Sequence, residues 1–374
     1  MQYFLIRHMQ VQNANAVAGF TYGYPGITHF LGFVNLLNQK LQLDNKFSGI
    51  ELTGCAVISH SQQLHTFRTD HKAIKFTQSR NPPYLNGLAD SKKSATASII
   101  EEGKMNLTVS LLIRYQGNIG KYHEKLENWL KHQIFLHRLA GGTILAIESV
   151  SHYRISDNDV LNQLKRQLLP AFFLLERNDL LAEYVQKQRS AAEKKENNCV
   201  DMWLDFVALK QQARPKYDLI DQHLTEISPQ LLECWQAYLR EDDYSAEKLP
   251  TSLIDYFNNL PKNKANKAVL AQWQSYLDPN QTTDADWRYL PKPAAGYLVP
   301  IMSGYKAISA VLANDEVENT RDNSTDICFV EAIHTVGEWK SVHRIRSVEE
   351  LEQTIWFYDY QPNWYRCIRS TDAE

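Results

Sequence analysis

Between residues 61 and 100 the chain sets Arg68, Lys72, Lys75, Arg80, Lys92 and Lys93 against only Asp70 and Asp90, a net charge of +4. His65, Phe67, His71, Phe76 and Tyr84 are interleaved with them. Cations at this density neutralise phosphates, and rings placed between them stack on bases. A solvated basic loop with locally docked rings has the same composition. Downstream, Arg138-Leu139-Ala140-Gly141-Gly142 joins a cation to two glycines. Glycine lets backbone N–H groups approach a phosphate closely, although a glycine pair also ends helices. The run Gln10 to Ala16 and the run Thr21 to Gly26 offer Asn13 and Asn15 to read base edges and Tyr22 to stack. The same residue types make turns. Near the C-terminus, Arg321, His343 and Arg344 are candidates to meet phosphate, while Arg321 with Glu331 and Glu338 would equally form structural ion pairs.

Other chemistry finds little support. The sequence has no GxxxxGK[ST], GxGxxG, HExxH or GxSxG motif, so nucleotide hydrolysis, dinucleotide chemistry, a zincin site and a serine hydrolase are not indicated. No metal or cofactor is expected. A metal-independent ribonuclease needs a histidine acid or base with a positioned partner. Of the 12 histidines, His60 and His65 are the candidates for that alternative. The expectation is that no residue is catalytic.

The elements that must position these residues follow from periodicity. Residues 3–11, 50–60, 105–115 and 143–150 read as strands, and 27–43 and 121–138 carry apolar residues at helical spacing. Thr28 is placed to cap the first helix, and Gly141-Gly142 to end the second. The order strand, helix, strand, strand, helix, strand is the split βαβ arrangement of the ferredoxin-like or RNA-recognition fold. Its second and third strands are joined by the basic stretch at 61–100, long for a hairpin. Residues 156–283 read as mostly helical, broken by prolines, and 284–374 as a mixed segment that packs back on the first domain. The rings of Trp356, Tyr358, Tyr360, Trp364 and Tyr365 are read as core rather than interface. The fold class is therefore α+β, with domains at 1–155, 156–283 and 284–374.

Charge is divided along the chain of 374 residues. Residues 1–150 hold 15 Lys and Arg against 9 Asp and Glu, and the remainder holds 25 against 34, giving +6 and −9 and the total of −3. A basic half suits a polyanion, and an acidic half suits protein contacts. No apolar run approaches the ~18 residues of a membrane span, and MQYFLIRHMQVQNANA reads as a strand rather than a signal peptide. Five cysteines without CxxC argue against a disulfide framework or zinc ribbon and fit the cytoplasm.

Six segments carry a family resemblance: VQNANAVAGFTYGYPGITHFLGFVNLL, SRNPPYLNG, ASIIEEGKMNLTVSLL, HRLAGGTIL, GYLVPIMSGYKAISAVL and VENTRDNSTDICFVEAIHTVGEWKSVHR. Together they resemble the subunit of type I-F CRISPR surveillance complexes that binds the 5′ handle of the guide RNA, the second subunit of the Csy assembly and a member of the fifth Cas family. The likeness covers roughly 1–180 and 285–345, whereas 216–283 departs from it as a longer helical insertion. The resemblance implies a RAMP-type core with a thumb at 61–100. It implies a noncatalytic subunit for antiviral defence that caps the crRNA 5′ handle and docks the large subunit and the adjacent backbone subunit. Target DNA would be met only indirectly, through the large subunit. Arg138, Gly141 and Gly142 would then take phosphate, Asn13, Asn15 and Tyr22 would meet handle bases, and Arg68, Lys72, Lys75 and Arg80 would line the thumb. A related system, in which the same family member cuts RNA, keeps the metal-independent endoribonuclease as the alternative.

Overall fold

The computed structural model describes residues 1–69, 73–80, 99–191, 198–240, 249–280, 282–320, 322 and 324–369. Lys72, Lys92, Lys93 and Arg321 lie outside them, as does the side chain of Arg80. The fold is α+β. β1 (Gln2–Asn15) leads through β2 (Val17–Ala18) and β3 (Thr21–Tyr22) into α1 (Ile27–Gln42). β4 (Glu51–Leu64), β5 (Thr66–Thr69), β6 (Ala73–Arg80), β7 (Ile99–Glu102) and β8 (Lys104–Gln116) follow. Next come α2 (His123–Phe135), β9 (Arg138–Leu139), β10 (Gly142–Ala146), β11 (Ser149–Arg154), α3 (Asn158–Leu168), β12 (Phe172–Glu176), α4 (Asn178–Ala191) and α5 (Cys199–Val207). β13 (Gln211–Pro215), α6 (Asp218–Ile227), α7 (Pro229–Arg240), α8 (Thr251–Asn259), α9 (Lys267–Leu277) and β14 (Ala285–Tyr289) precede the last group. That group is β15 (Leu298–Ala307), β16 (Val330–Ser341), α10 (Val348–Glu352), β17 (Trp356–Gln361) and β18 (Trp364–Arg369).

Two compact units result, Met1–Val207 with Pro293–Glu374, and Ala208–Lys292. α3 and β12 belong to the first because Leu161, Leu164 and Leu168 bury against the sheet and β12 pairs into it. α4 and α5 pack on the same unit through Leu180, Trp203 and Phe206, against Leu298 and Val336. The large sheet runs antiparallel in the order β12-β16-β15-β18-β17-β4-β8-β1-β10-β9, with β11 also on β1. β12 and β17 both pair with β4, at Ser59/Ile58 and Cys55/Gly54, so β4, β12, β16, β15, β18 and β17 close a ring. Trp356 is buried there and its indole N–H donates to the Leu174 carbonyl at 2.8 Å. The aromatic tail is thus divided: Trp356 is core, whereas Tyr360 and Trp364 are exposed.

Both faces of the central strands are covered over part of their length. Phe4 and Ile6 of β1 join α1 and α2 in one core, and Tyr3 and Leu5 join α3 and α10 in the other. Such strands read as continuous apolar runs. α1 buries Phe30, Leu31, Val34, Leu37 and Leu41 at the expected spacing. Thr28 does not cap it: the N-cap is Gly26, with no side-chain bond, and Thr28 lies inside the first turn. Gly141-Gly142 does not end α2 either, since that helix stops at Phe135. The fourth strand is interrupted, with β10 and β11 both paired to β1. Residues 61–69 and 73–80 are not irregular loop. β4 runs on to Leu64, and β5, β6 and β7 form a three-stranded ribbon. No helix among the described residues is long and apolar enough to cross a membrane.

Candidate nucleic-acid interface

The three central strands change pattern at one level. β4 passes from Leu-Thr-Gly-Cys-Ala-Val-Ile to Ser-His-Ser-Gln-Gln, and β8 alternates strictly over Met105 to Ser110 before Leu111-Leu112-Ile113. β1 is apolar at 3–6 and alternates from Met9 onward. One face stays apolar throughout, through Met9, Val11, Met105, Leu107 and Val109. The opposite face is buried under α3 at Tyr3, Leu5, Ala56, Ile58 and Leu112, then turns polar. Register across the polar end places Gln10 beside Thr108 and Thr108 beside Ser61, with Gln63 beside Asn106. With Gln12 and Gln62, these side chains line a groove of about 300 Å³. Amides and hydroxyls, with no charge among them, suit the donor and acceptor edges of unpaired bases.

A histidine layer divides the apolar and polar parts. β1 bulges at His8, whose φ is 48°, and β4 shifts register between Ser59 and Ser61, at His60. The bulges bring the His60 ring and the His8 backbone N–H to Ser110 on the strand between them. His8 Nε2 and His60 Nδ1 lie 3.1 Å apart, His60 Nε2 is 2.7 Å from Ser110 Oγ, and the His8 backbone N–H donates to Ser110 Oγ at 2.9 Å. His8 Nδ1 contacts the Glu148 carboxylate, which also pairs with Arg7 at 3.0 Å. One proton arrangement satisfies the layer: His8 donates to Glu148, His60 to His8, and Ser110 to His60. Burial first, and then the neighbouring His8, push the His60 pKa down to about 4. His60 is therefore neutral near pH 7, with both ring nitrogens held by protein groups. His65 stands apart, its backbone N–H donating to the Lys104 carbonyl at 2.9 Å.

The groove is bordered by a tight hairpin. Leu139 pairs with Gly142, and the two residues between them, Ala140 and Gly141, have φ of 50° and 74°. Positive φ at both positions is the pattern of a type I′ turn. That turn, not helix capping, is what the glycine pair serves. A side chain at Gly142 would meet Gln12 O and Val11 Cγ1 at 2.7 Å and Ala14 N at 2.8 Å, so the hairpin lies directly on β1. Gly141 faces open space. β1 bulges a second time at Asn13, φ 56°, a conformation asparagine tolerates. The Asn13 N–H donates to Asn106 Oδ1 at 3.1 Å, and the Asn15 N–H donates to the Ala140 carbonyl at 2.8 Å. The Asn15 side chain accepts from Val17 N–H at 3.0 Å. Asn13, Asn15, Arg138, Gly141 and Gly142, scattered in sequence, thus meet at one end of the sheet. Arg138 is exposed beside them.

The ribbon starts from the same end. Tyr22, on the β2–β3 hairpin, meets Phe76 of β6 edge-on, ring centroids 5.1 Å apart, and is 58% exposed. Arg68 and Lys75 are exposed on β5 and β6. His343 and Arg344 are not part of this assembly. They occupy an exposed turn between Val342 and Ile345, which bury in the core under α3, and His343 Nδ1 is 2.7 Å from Ser341 Oγ. Glu338 makes an ion pair, but with Arg177, which also holds Asp179 at 3.2 Å. Ser61, Gln62, Gln63, Asn106 and Thr108 escaped sequence reasoning. The signal that finds them is the common switch of pattern in three strands.

The structure defines an α+β chain whose large sheet is closed by core on one face and leaves a polar, amide-lined end of the other uncovered. The sequence model of the family described as CRISPR-associated protein (Cas_Csy2) matches residues 4–223 and 245–367. CRISPR-associated protein Csy2 of Pseudomonas aeruginosa (strain UCBPP-PA14) is 26% identical over 375 residues, spanning 96% of this chain and 92% of that protein. The chain belongs to the Csy2 family, the type I-F Csy subunit family that its segments resemble. The match takes in residues 245–283, so only 224–244, across α6 and α7, stands outside it between the two matched stretches.

Proposed function

We propose that the chain is a noncatalytic subunit of a type I-F CRISPR surveillance complex that caps the 5′ handle of the guide RNA. Family membership supports the assignment to the complex. The observation that carries RNA capping is the meeting of the amide-lined groove, the Arg138–Gly142 hairpin and the basic ribbon at one end of the sheet. The adjacent order β4-β8-β1-β10, antiparallel and with α1 and α2 as crossovers, fits a ferredoxin-like, RAMP-type core. In this reading Gln10, Gln12, Asn13 and Asn106 read unpaired bases, Tyr22 stacks, and exposed backbone at Gly141 approaches phosphate. Arg68 and Lys75 lay the thumb along the guide. The acidic remainder of the chain faces protein, chiefly the large subunit and the adjacent backbone subunit, and target DNA is met through the large subunit. The complex works in the cytoplasm.

Co-expression with the large subunit and a repeat-derived RNA, followed by sizing of the purified RNA, tests the proposal. Intact RNA retained only when it carries the handle is the expected result. Shortened RNA would make the chain an endoribonuclease, and a stable protein pair without RNA would make it an adaptor.

A further inference from the structure

The second unit, Ala208–Lys292, is acidic as a whole, with 10 Lys and Arg against 12 Asp and Glu. Its acids are not evenly spread. No acidic residue occurs between Asp255 and Asp278, a stretch that holds Lys262, Lys264 and Lys267 and the amides Asn258, Asn259, Asn263, Asn266, Gln272 and Gln274. The fold gathers several of these groups around a pocket of about 590 Å³. The three lysines, Asn258, Asn263 and Gln274 line it together with the apolar Leu270, Ala271 and Leu277, and no carboxylate does. All three lysines are exposed.

The pocket rests on a rigid base. Phe257 and Trp273 stack at 4.2 Å between ring centroids and are each only 3% exposed. The lysines ride on the link from α8 to α9, which is tied by its own bonds. Asn266 N–H donates to Asn263 Oδ1 at 2.9 Å, and Asn266 Nδ2 donates to the Pro261 carbonyl at 3.0 Å. Lys262, Lys264 and Lys267 follow closely in sequence, and Lys267 adds to the positive end of the α9 dipole instead of offsetting it.

We propose that this lysine-lined pocket holds the phosphodiester backbone of a nucleic acid, as a second contact separate from the groove on the large sheet. Three point charges flanked by amide donors match successive phosphates. The aromatic rings lie beneath the surface, so no base-stacking platform is offered and the contact carries no sequence preference. RNA and DNA share the backbone chemistry, and the test separates them.

The full-length chain and its Lys262→Gln/Lys264→Gln/Lys267→Gln variant would be titrated by fluorescence anisotropy with three probes across a salt series. The probes are duplex DNA of unrelated sequence, single-stranded RNA without the handle, and an acidic polypeptide. Tenfold or greater weakening with a nucleic acid is expected, and a duplex salt slope less steep by about 2.7 if all three lysines meet phosphates. Loss with DNA alone, or RNA alone, names the source. Unchanged affinity and slope with both nucleic acids would overturn the proposal, as would weakening confined to the acidic polypeptide. Handle-dependent binding through the sheet groove should persist in the variant, so failure here is distinguishable from failure of RNA capping. The lysines are exposed, so an unchanged thermal midpoint is expected, and the conservative Lys→Arg triple variant should restore binding.

Discussion

The hairpin at Ala140–Gly142 allows folding and RNA contact to be separated by two neighbouring substitutions. At Gly142 a methyl group would sit 2.7 Å from Gln12 O and 2.8 Å from Ala14 N, both backbone atoms of β1 that cannot rotate away. Either the hairpin lifts off β1 or the strand bends, and overpacking of this kind costs about 1–3 kcal/mol. Lifting would also stretch the 2.8 Å bond from Asn15 N–H to the Ala140 carbonyl. At Gly141 a methyl group meets nothing within 4 Å, so the only cost is the positive φ of 74°. That conformation costs a non-glycine residue about 1–2 kcal/mol. Gly142→Ala should therefore lower the thermal midpoint by several degrees and weaken handle binding as a consequence. Gly141→Asp, a residue tolerated at positive φ, should lower the midpoint less but weaken handle binding at least as much, because its carboxylate occupies the space where a phosphate would approach. Thermal unfolding and RNA anisotropy on the same preparations read both effects. An unchanged midpoint for Gly142→Ala would refute the close approach. Unchanged RNA affinity for Gly141→Asp would refute the phosphate role of the turn.

Arg68→Gln with Lys75→Gln should flatten the salt dependence of handle binding by about 1.4, at about 0.7 per phosphate for single strands, as read from affinities across a salt series. His60 has its folded pKa at about 4, below the ordinary 6.5. The neutral ring's contribution is thus fully present above pH 6.5 and is lost as pH falls toward 4, because the unfolded chain takes up the proton first. The ring is half-buried, so about 1–2 kcal/mol of urea-measured stability should disappear over that interval, and His60→Gln should reduce the loss. Trp356→Phe leaves the buried Leu174 carbonyl without its donor and should cost about 1–3 kcal/mol, read from the denaturation midpoint.

Periodicity revealed the main strands and both early helices because their apolar residues mark faces that must be buried. It was less informative where one residue type serves two geometries. A glycine pair after a helical run suits a helix end and a type I′ turn equally, and the choice depends on Leu139 pairing with Gly142. Thr28 is a good capping residue, but the chain enters α1 through Gly26. β5 and β6 expose Phe67 and Ile74 along with Arg68 and Lys75, so the apolar residues there do not mark a buried face. Asn13, Asn15 and Arg138 were legible as residue types, but their meeting depends on β10 lying against β1. Ser61, Gln63 and Asn106 become a groove only once β8 is known to lie between β1 and β4. The sequence likewise could not show that His343 and Arg344 sit over the core under α3, apart from the hairpin.

The most direct test of the central claim is photocrosslinking of a handle-bearing guide RNA in the assembled complex, with the crosslinked peptides identified by mass spectrometry. The account predicts handle-dependent crosslinks within residues 10–16, 61–64, 104–108 and 138–143, lost when the handle sequence is replaced. Handle-dependent crosslinks found only elsewhere on this chain, or only on its protein partners, would contradict it.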